Sequence, residues 1–257
     1  MVTVDRQQAW SERKAQIMAE YAEPFCATLS PSTPVWLVDG QAGAAHYGAG
    51  RWQVPGAPIQ VAEHAANLAQ RLGRAVRCLL VEPDLAQAAQ LQAALASLGD
   101  QALVWPGAWA DLQPAALRQL GGGAALVLLD SAAPQPIAGG LEHLARRLAK
   151  TEVLVRYDRR AIADLLAARA DPVTVRPSEV ALDTLFGSRS WRTVVEGASA
   201  VDERDLQLRD LYVQLLIELR GGRFKWAATC PVHTNWGALE YYLVFATPDR
   251  AAGAALD

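Results

Sequence analysis

The chain has 257 residues, 51% of them hydrophobic and 20% charged, with a formal net charge of -3 at pH 7. That balance suits a core-forming α/β chain and argues against wholesale disorder. It gives no electrostatic case for strong nucleic-acid binding, although a local basic patch is compatible with it. No apolar run reaches the roughly 18 residues that a membrane helix needs.

Along the chain, Gln7 to Leu29 reads as an amphipathic entry helix, with Trp10, Ile17, Met18, Tyr21, Phe25 and Leu29 mostly at helical intervals. The Ser30-Pro31-Ser32-Thr33-Pro34 run stops it, because proline cannot continue a helix. Val35 to Val38 is the first strand and ends at Asp39. Gly40 to Pro55 is a long loop carrying His46, Tyr47, Arg51 and Trp52. A loop of that length inside an α/β unit suits a lid or ligand cradle. A helix follows from Gly56-Ala57-Pro58 through Leu72, with proline in the first turn where its missing N–H costs little.

Val76 to Val81 is a second strand, ending at Glu82, and Asp84 to Leu98 a helix closed by Gly99. Ala102 to Trp105 is a third strand, ending at Pro106-Gly107, and Trp109 to Leu120 a helix closed by Gly121. Ala125 to Leu129 is a fourth strand, ending at Asp130. Ile137 to Lys150 reads as a helix, Thr151 to Tyr157 as a fifth strand and Arg159 to Ala168 as a helix. Asp171 to Asp202 is the least regular stretch, with a short helix expected only over Ala181 to Phe186. Asp205 to Leu219 is a long helix ended by Gly221-Gly222. Phe224 to Val232 and Leu239 to Thr247 read as a closing antiparallel pair.

Strand–helix alternation with near-continuous apolar strands predicts a parallel sheet covered on both faces. Ligands of such sheets bind outside the carboxyl ends of the strands, near the topological switch point. The acids and glycines of this chain collect there. Asp39-Gly40-Gln41-Ala42-Gly43 is a strand–acid–glycine turn that lets a ligand approach the backbone. Glu82 holds the strand-tip position from which a carboxylate accepts ribose hydroxyls, although a helix-entry acid would stand there too. Neither G-x-G-x-x-G nor G-x-x-x-x-G-K-[ST] is present, so a nucleoside without phosphates, such as S-adenosylmethionine, fits better than a dinucleotide or a nucleotide triphosphate.

These motifs stand in a specific order: Asp39-Gly40-Gln41-Ala42-Gly43-Ala44-Ala45, Gly56-Ala57-Pro58, Glu82-Pro83-Asp84, Asp130-Ser131-Ala132-Ala133, Phe186-Gly187-Ser188-Arg189-Ser190-Trp191 and Tyr241-Tyr242-Leu243-Val244-Phe245-Ala246-Thr247. In that order and spacing the chain resembles the three-Cys-motif partner proteins, from about Ala9 to Arg250. The family name refers to cysteines on a partner protein, so Cys26, Cys78 and Cys230 play no part in the resemblance. Their wide scatter suggests neither a disulfide framework nor a zinc site.

The resemblance implies a Rossmann-like class I methyltransferase fold, S-adenosylmethionine as cofactor and a three-cysteine-motif protein as partner. Gln41 replaces the family's phenylalanine, Ala45 its second glycine, and Ala108 the acid expected after Gly107. Ser131 and Ala133 replace a proline and a glycine after Asp130. The Asp-Pro-Pro-aromatic turn of base-modifying methyltransferases is therefore missing.

Taken together, the expectation is a single methyltransferase-like domain over 1–257, with an N-terminal helix (1–33), a Rossmann-like core (34–170) and a helical segment with closing strands (171–257). Asp39, Gly40, Gly43, Glu82 and Gly107 are the expected cofactor-binding residues, Asp130 the expected catalytic carboxylate, and no metal site is expected. The first functional reading is S-adenosylmethionine-dependent methyl transfer to an unidentified substrate, nucleic acid among the candidates. The second is a methyltransferase-fold protein that has lost its chemistry and acts by docking to another protein. The polar start from Val2 to Lys14 lacks the form of a signal peptide, so a reducing cytoplasm is the expected location.

Overall fold

The computed structural model describes residues 6–48, 50–131, 133–171, 173–233 and 237–249. In chain order the helices and strands are α1 (Arg6–Ala27), β1 (Val35–Asp39), β2 (His46–Tyr47), β3 (Val54–Pro55), α2 (Ala57–Leu72), β4 (Val76–Glu82), α3 (Leu85–Leu95), β5 (Ala102–Pro106), α4 (Trp109–Leu120) and β6 (Ala124–Leu129). Then follow α5 (Glu142–Ala145), β7 (Thr151–Tyr157), α6 (Arg159–Ala167), α7 (Val175–Phe186), α8 (Trp191–Gly197), α9 (Val201–Ile217), β8 (Trp226–His233) and β9 (Leu239–Thr247). Seven of the strands belong to one mostly parallel sheet of order β5-β4-β1-β6-β7-β9-β8, and β2 with β3 forms a separate ribbon. This is the Rossmann-like class I methyltransferase fold expected from the sequence. Among the described residues no helix is long and apolar enough to cross a membrane.

The chain divides into two compact units, Met1–Leu128 and Leu129–Asp257. In the first, β1 pairs in parallel with β4 on one side and β6 on the other, and β4 pairs in parallel with β5. The order of connection reverses at β1, which is the switch point of the sheet. Every residue of β1 and β6 is buried, which is why these strands read as unbroken apolar runs rather than alternating ones. Helix α2 starts at Gly56 with proline in its first turn, ends at Gly73 in the left-handed conformation, and buries Ile59, Val61, Ala62, Ala65 and Leu68. Each large aliphatic side chain buried in this way contributes about 1.5–3 kcal/mol.

In the second unit β9 is antiparallel to both β7 and β8, the closing pair expected from the sequence. Two expectations fail here. The helix expected from Ile137 to Lys150 is reduced to a distorted turn over Ile137–Leu141 and the single turn of α5. Ala138 is extended and Gly139 has φ 71°, so the backbone leaves the helical region where the two glycines Gly139 and Gly140 remove any penalty for doing so. Conversely, in the stretch from Asp171 to Asp202 the helix expected over Ala181 to Phe186 is present but begins at Val175, as α7, and a further helix, α8, follows it. Pro177 lies in the first turn of α7, where it interrupts nothing, and the helix buries Leu182, Leu185 and Phe186 before Gly187 ends it in the left-handed conformation. Helix α3 also stops earlier than expected, at Leu95, with a 3-10 segment carrying the chain on to Gln101.

Candidate functional site

The site in the first unit is assembled by three neighbouring strand ends, β1, β4 and β5. Strand β1 delivers Asp39, 1% exposed, and β4 delivers Glu82, 3% exposed. The loop after β1 folds back over β4. Ala42 N–H donates to the Val81 carbonyl at 2.8 Å, and Gly43 N–H donates to Glu82 Oε2 at 2.7 Å. Gly43 adopts φ 84°, a conformation that glycine enters without strain, and this turns its amide toward the carboxylate. On the far side of Glu82, Gly107 N–H donates to the Glu82 carbonyl at 3.0 Å. Gly40 N–H is held by the Leu128 carbonyl at 2.8 Å. The five expected cofactor residues therefore lie on three adjacent strand ends, with Glu82 linked by hydrogen bonds to Gly43 and Gly107.

The two carboxylates are not equivalent. Asp39 faces Lys14 of α1, whose Nζ stands 3.0 Å from Oδ2, the two side chains being 5% and 1% exposed. The same ammonium donates to the carbonyls of Gln41 at 2.7 Å and Ala42 at 3.4 Å. The other Asp39 oxygen accepts the Gln41 N–H at 3.0 Å. Lys14 and Asp39 thus clamp the glycine turn from beneath, each compensating the other's burial. Among the described residues no cation is paired with Glu82. Oε2 takes the Gly43 N–H and Oε1 takes the Asp84 N–H at 2.8 Å. An ionised carboxylate offers about four acceptor sites, so lone pairs remain on both oxygens. The helix-entry role belongs to Asp84, which caps α3 by accepting the Gln87 N–H at 2.9 Å.

Around this centre the polar and apolar neighbours are defined. Cys78, on the strand that carries Glu82, is fully buried and its thiol pKa is raised by burial, with the Asp39 charge adding to the effect. It is an inert structural thiol. Leu112 of α4 lies against Gly107, where a β-carbon would come 3.1 Å from Cδ1. Trp109 is buried at the start of α4 and Trp105 is half-buried at the end of β5. On the long loop, β2 and β3 pair through His46 with Pro55 and Tyr47 with Val54, and Trp52 at its tip is 73% exposed.

Asp130 follows β6 and belongs to the second unit, where its neighbours are basic and aromatic. Arg156 of β7 places Nη1 3.9 Å from Asp130 Oδ1 and Nη2 2.8 Å from Asp158 Oδ2, with its guanidinium 4.4 Å from the Tyr241 ring centre. Burial raises the Tyr241 phenol pKa, and the Asp130 charge raises it further. The Phe186–Trp191 segment is structural. Trp191 is fully buried, its Nε1 donates to Asp183 at 2.8 Å, and Arg169 and Arg192 stack on its ring at 4.8 and 4.5 Å. Asn235 and Trp236 lie outside the described residues, and His233 is exposed. Among the described residues no group of histidine, cysteine, aspartate or glutamate side chains is arranged to hold a metal ion.

Lys14 and Arg156 were not singled out by reading the sequence, and Tyr241 only as part of the Tyr241–Thr247 motif. For Lys14 a signal exists: it falls four residues before Met18 on the face of α1 that also buries Ala22 and Phe25. A lysine on an apolar stripe is rarely buried without an acid to meet it.

No protein-family model matches the chain, and no curated relative matches it. Among solved structures the chain is similar to an O-methyltransferase from Bacillus cereus in complex with SAH, at 12% identity, covering 95% of this chain and 93% of that one, TM-score 0.41. It is similar to a geranyl diphosphate methyltransferase in complex with GPP and sinefungin, at 12% identity, 93% and 78% coverage, TM-score 0.38. It is also similar to the CurJ carbon methyltransferase, at 12% identity and TM-score 0.49, covering 91% of this chain and 54% of that one. These likenesses concern the fold.

Proposed function

We propose that the chain binds S-adenosylmethionine at the carboxyl ends of β1, β4 and β5 and transfers its methyl group to an acceptor. The observation that supports this best is Glu82. It sits at the tip of the strand next to the switch-point strand, is paired with no cation among the described residues, and keeps acceptor capacity on both oxygens. A ribose presents two adjacent hydroxyl donors, which suit such a carboxylate. Gly107 and the apolar Leu112 suit a flat base beside it. Asp39 takes a different role from the one first expected. With its charge met by Lys14, it holds the Gly40–Gly43 turn in shape rather than contacting the ligand. When bound, S-adenosylmethionine supplies an electrophilic methyl group, and the protein's part is to position it and to exclude water. No step is assigned to Asp130, which lies in the second unit with its Oδ1 3.9 Å from Arg156 Nη1.

Calorimetry on wild type and Glu82→Ala tests the proposal. Hydrogen bonds to a charged group are worth about 1.5–3 kcal/mol each, so the variant should bind at least about tenfold more weakly. Wild-type binding that survives the substitution unchanged would refute the ribose role.

A second reading is favoured by the Lys14–Asp39 pair together with buried Ala42 and Ala45, which fill the turn with the chain's own atoms. On this reading the fold is kept without the chemistry, and the protein docks to a partner such as the three-cysteine-motif protein implied by the family resemblance. Function belongs to sites rather than folds. Affinity purification from the native cell distinguishes the two: recovery of the chain alone, together with measurable S-adenosylmethionine binding, counts against the docking role.

A further inference from the structure

We infer that the Tyr47 hydroxyl recognises the carboxylate at the amino-acid end of the ligand. This rests on the nucleoside reading of Glu82 and adds the residue that would read the other end of the molecule. The sheet order β5-β4-β1 places Glu82 between two glycines, Gly107 on one side and Gly43 on the other, each joined to it by an amide hydrogen bond. S-adenosylmethionine is a linear ligand: base, ribose, then a sulfonium that carries the amino acid. With the ribose at Glu82, the base and the amino acid must run to opposite sides. Leu112 makes the Gly107 side apolar, which suits the base. The amino-acid end then lies on the Gly43 side.

That end carries a carboxylate and needs hydrogen-bond donors. Among the described side chains, the cation at the turn is Lys14, which is buried and engaged with Asp39 and two carbonyls. Among the described residues of the loop, Tyr47 reaches the turn: a β-carbon on Gly43 would lie 3.9 Å from its hydroxyl. Its surroundings hold it in place. The β2–β3 ribbon pairs Tyr47 with Val54, and Gly56 N–H closes the base of the ribbon onto the Ala45 carbonyl at 2.7 Å. Pairing of the backbone restricts where the phenol can go, so it loses less freedom on binding than it would on an unpaired loop.

The test is calorimetry with two ligands, S-adenosylhomocysteine and 5′-methylthioadenosine, on wild type and Tyr47→Phe. The second ligand has the base, ribose and sulfur but no amino acid. The substitution removes only the hydroxyl. The expected result is a loss of about tenfold in affinity for S-adenosylhomocysteine, the size of one hydrogen bond to a charged group, with methylthioadenosine binding unchanged. Equal losses for both ligands would show a general role in shaping the loop and overturn the inference. So would a Tyr47→Phe variant that binds both ligands as wild type does, while the Glu82 reading would stand. A wild-type protein that binds neither ligand would overturn the Glu82 reading, and this inference with it.

Discussion

Replacing Lys14 by methionine removes the charge that faces Asp39 while keeping nearly the same side-chain length. The pair is 3.0 Å apart and almost wholly shielded from water, at 5% and 1% side-chain exposure. Exposed pairs of this kind contribute about 0.2–1 kcal/mol. Breaking a buried one costs about 3–5 kcal/mol, because the remaining charge is left without a partner in a poorly polarisable setting. Lys14→Met should therefore cost about 3–5 kcal/mol, or about 6–20 °C in melting temperature for a chain of this size. The double variant Lys14→Met with Asp39→Asn should recover most of that loss. The asparagine oxygen still accepts the Gln41 N–H, and no lone charge is buried. Recovery should stop short of wild type by about 1 kcal/mol, since the Gln41 and Ala42 carbonyls lose their donor. Urea unfolding followed by far-ultraviolet circular dichroism measures all four proteins of the cycle. A single-variant loss below about 1 kcal/mol, or a double variant no better than the single, would refute the buried clamp.

Burial, reinforced by Arg71 and opposed by Glu23, lowers the pKa of His64 from its ordinary 6.5. The unfolded chain then takes up a proton that the folded one resists, so stability held above pH 6.5 is lost as pH falls through the lowered value. His64→Gln should flatten that part of the stability–pH curve, and an unchanged slope would contradict the linkage. Asp183→Ala should cost about 1–3 kcal/mol by leaving the buried Trp191 N–H without an acceptor, whereas Asp183→Asn should lose less; equal losses in chemical denaturation would place the effect elsewhere. Gly56→Ala should destabilise the chain by about 1–3 kcal/mol, because a β-carbon there would collide with the Ala44 carbonyl oxygen, and a melting curve identical to wild type would contradict that packing.

The strand ends were legible because β1 and most of β4 are buried and written as apolar runs that stop at Asp39 and Glu82, while the edge strand β5, partly buried, stops just before Gly107. The closing pair β8 and β9 was legible for a related reason, two strand-forming runs either side of a short turn. The Ile137–Lys150 expectation went wrong by weighing apolar spacing over Gly139-Gly140, whose backbone freedom prevails locally. The first half of α7 and the whole of α8 were hidden because Trp191 is secured by Asp183 eight residues away and by two stacked arginines, contacts that spacing within one helix does not encode. The pairing of Asp39 with Lys14 was hidden for the same reason. Whether an acid at a strand tip meets a ligand or a lysine depends on what α1 brings beneath it, and Lys14 lies 25 positions before Asp39 in the chain.

The central claim is that a nucleoside ligand lies across β5, β4 and β1 with its ribose at Glu82. A crystal structure grown with S-adenosylhomocysteine tests it most directly. The account predicts both ribose hydroxyls within hydrogen-bond distance of the Glu82 carboxylate, the base against Gly107 and Leu112, and the Lys14–Asp39 pair intact beneath the turn. A ligand bound away from Glu82, or a turn between Gly40 and Gly43 still closed over an empty strand end at saturating ligand, would contradict it.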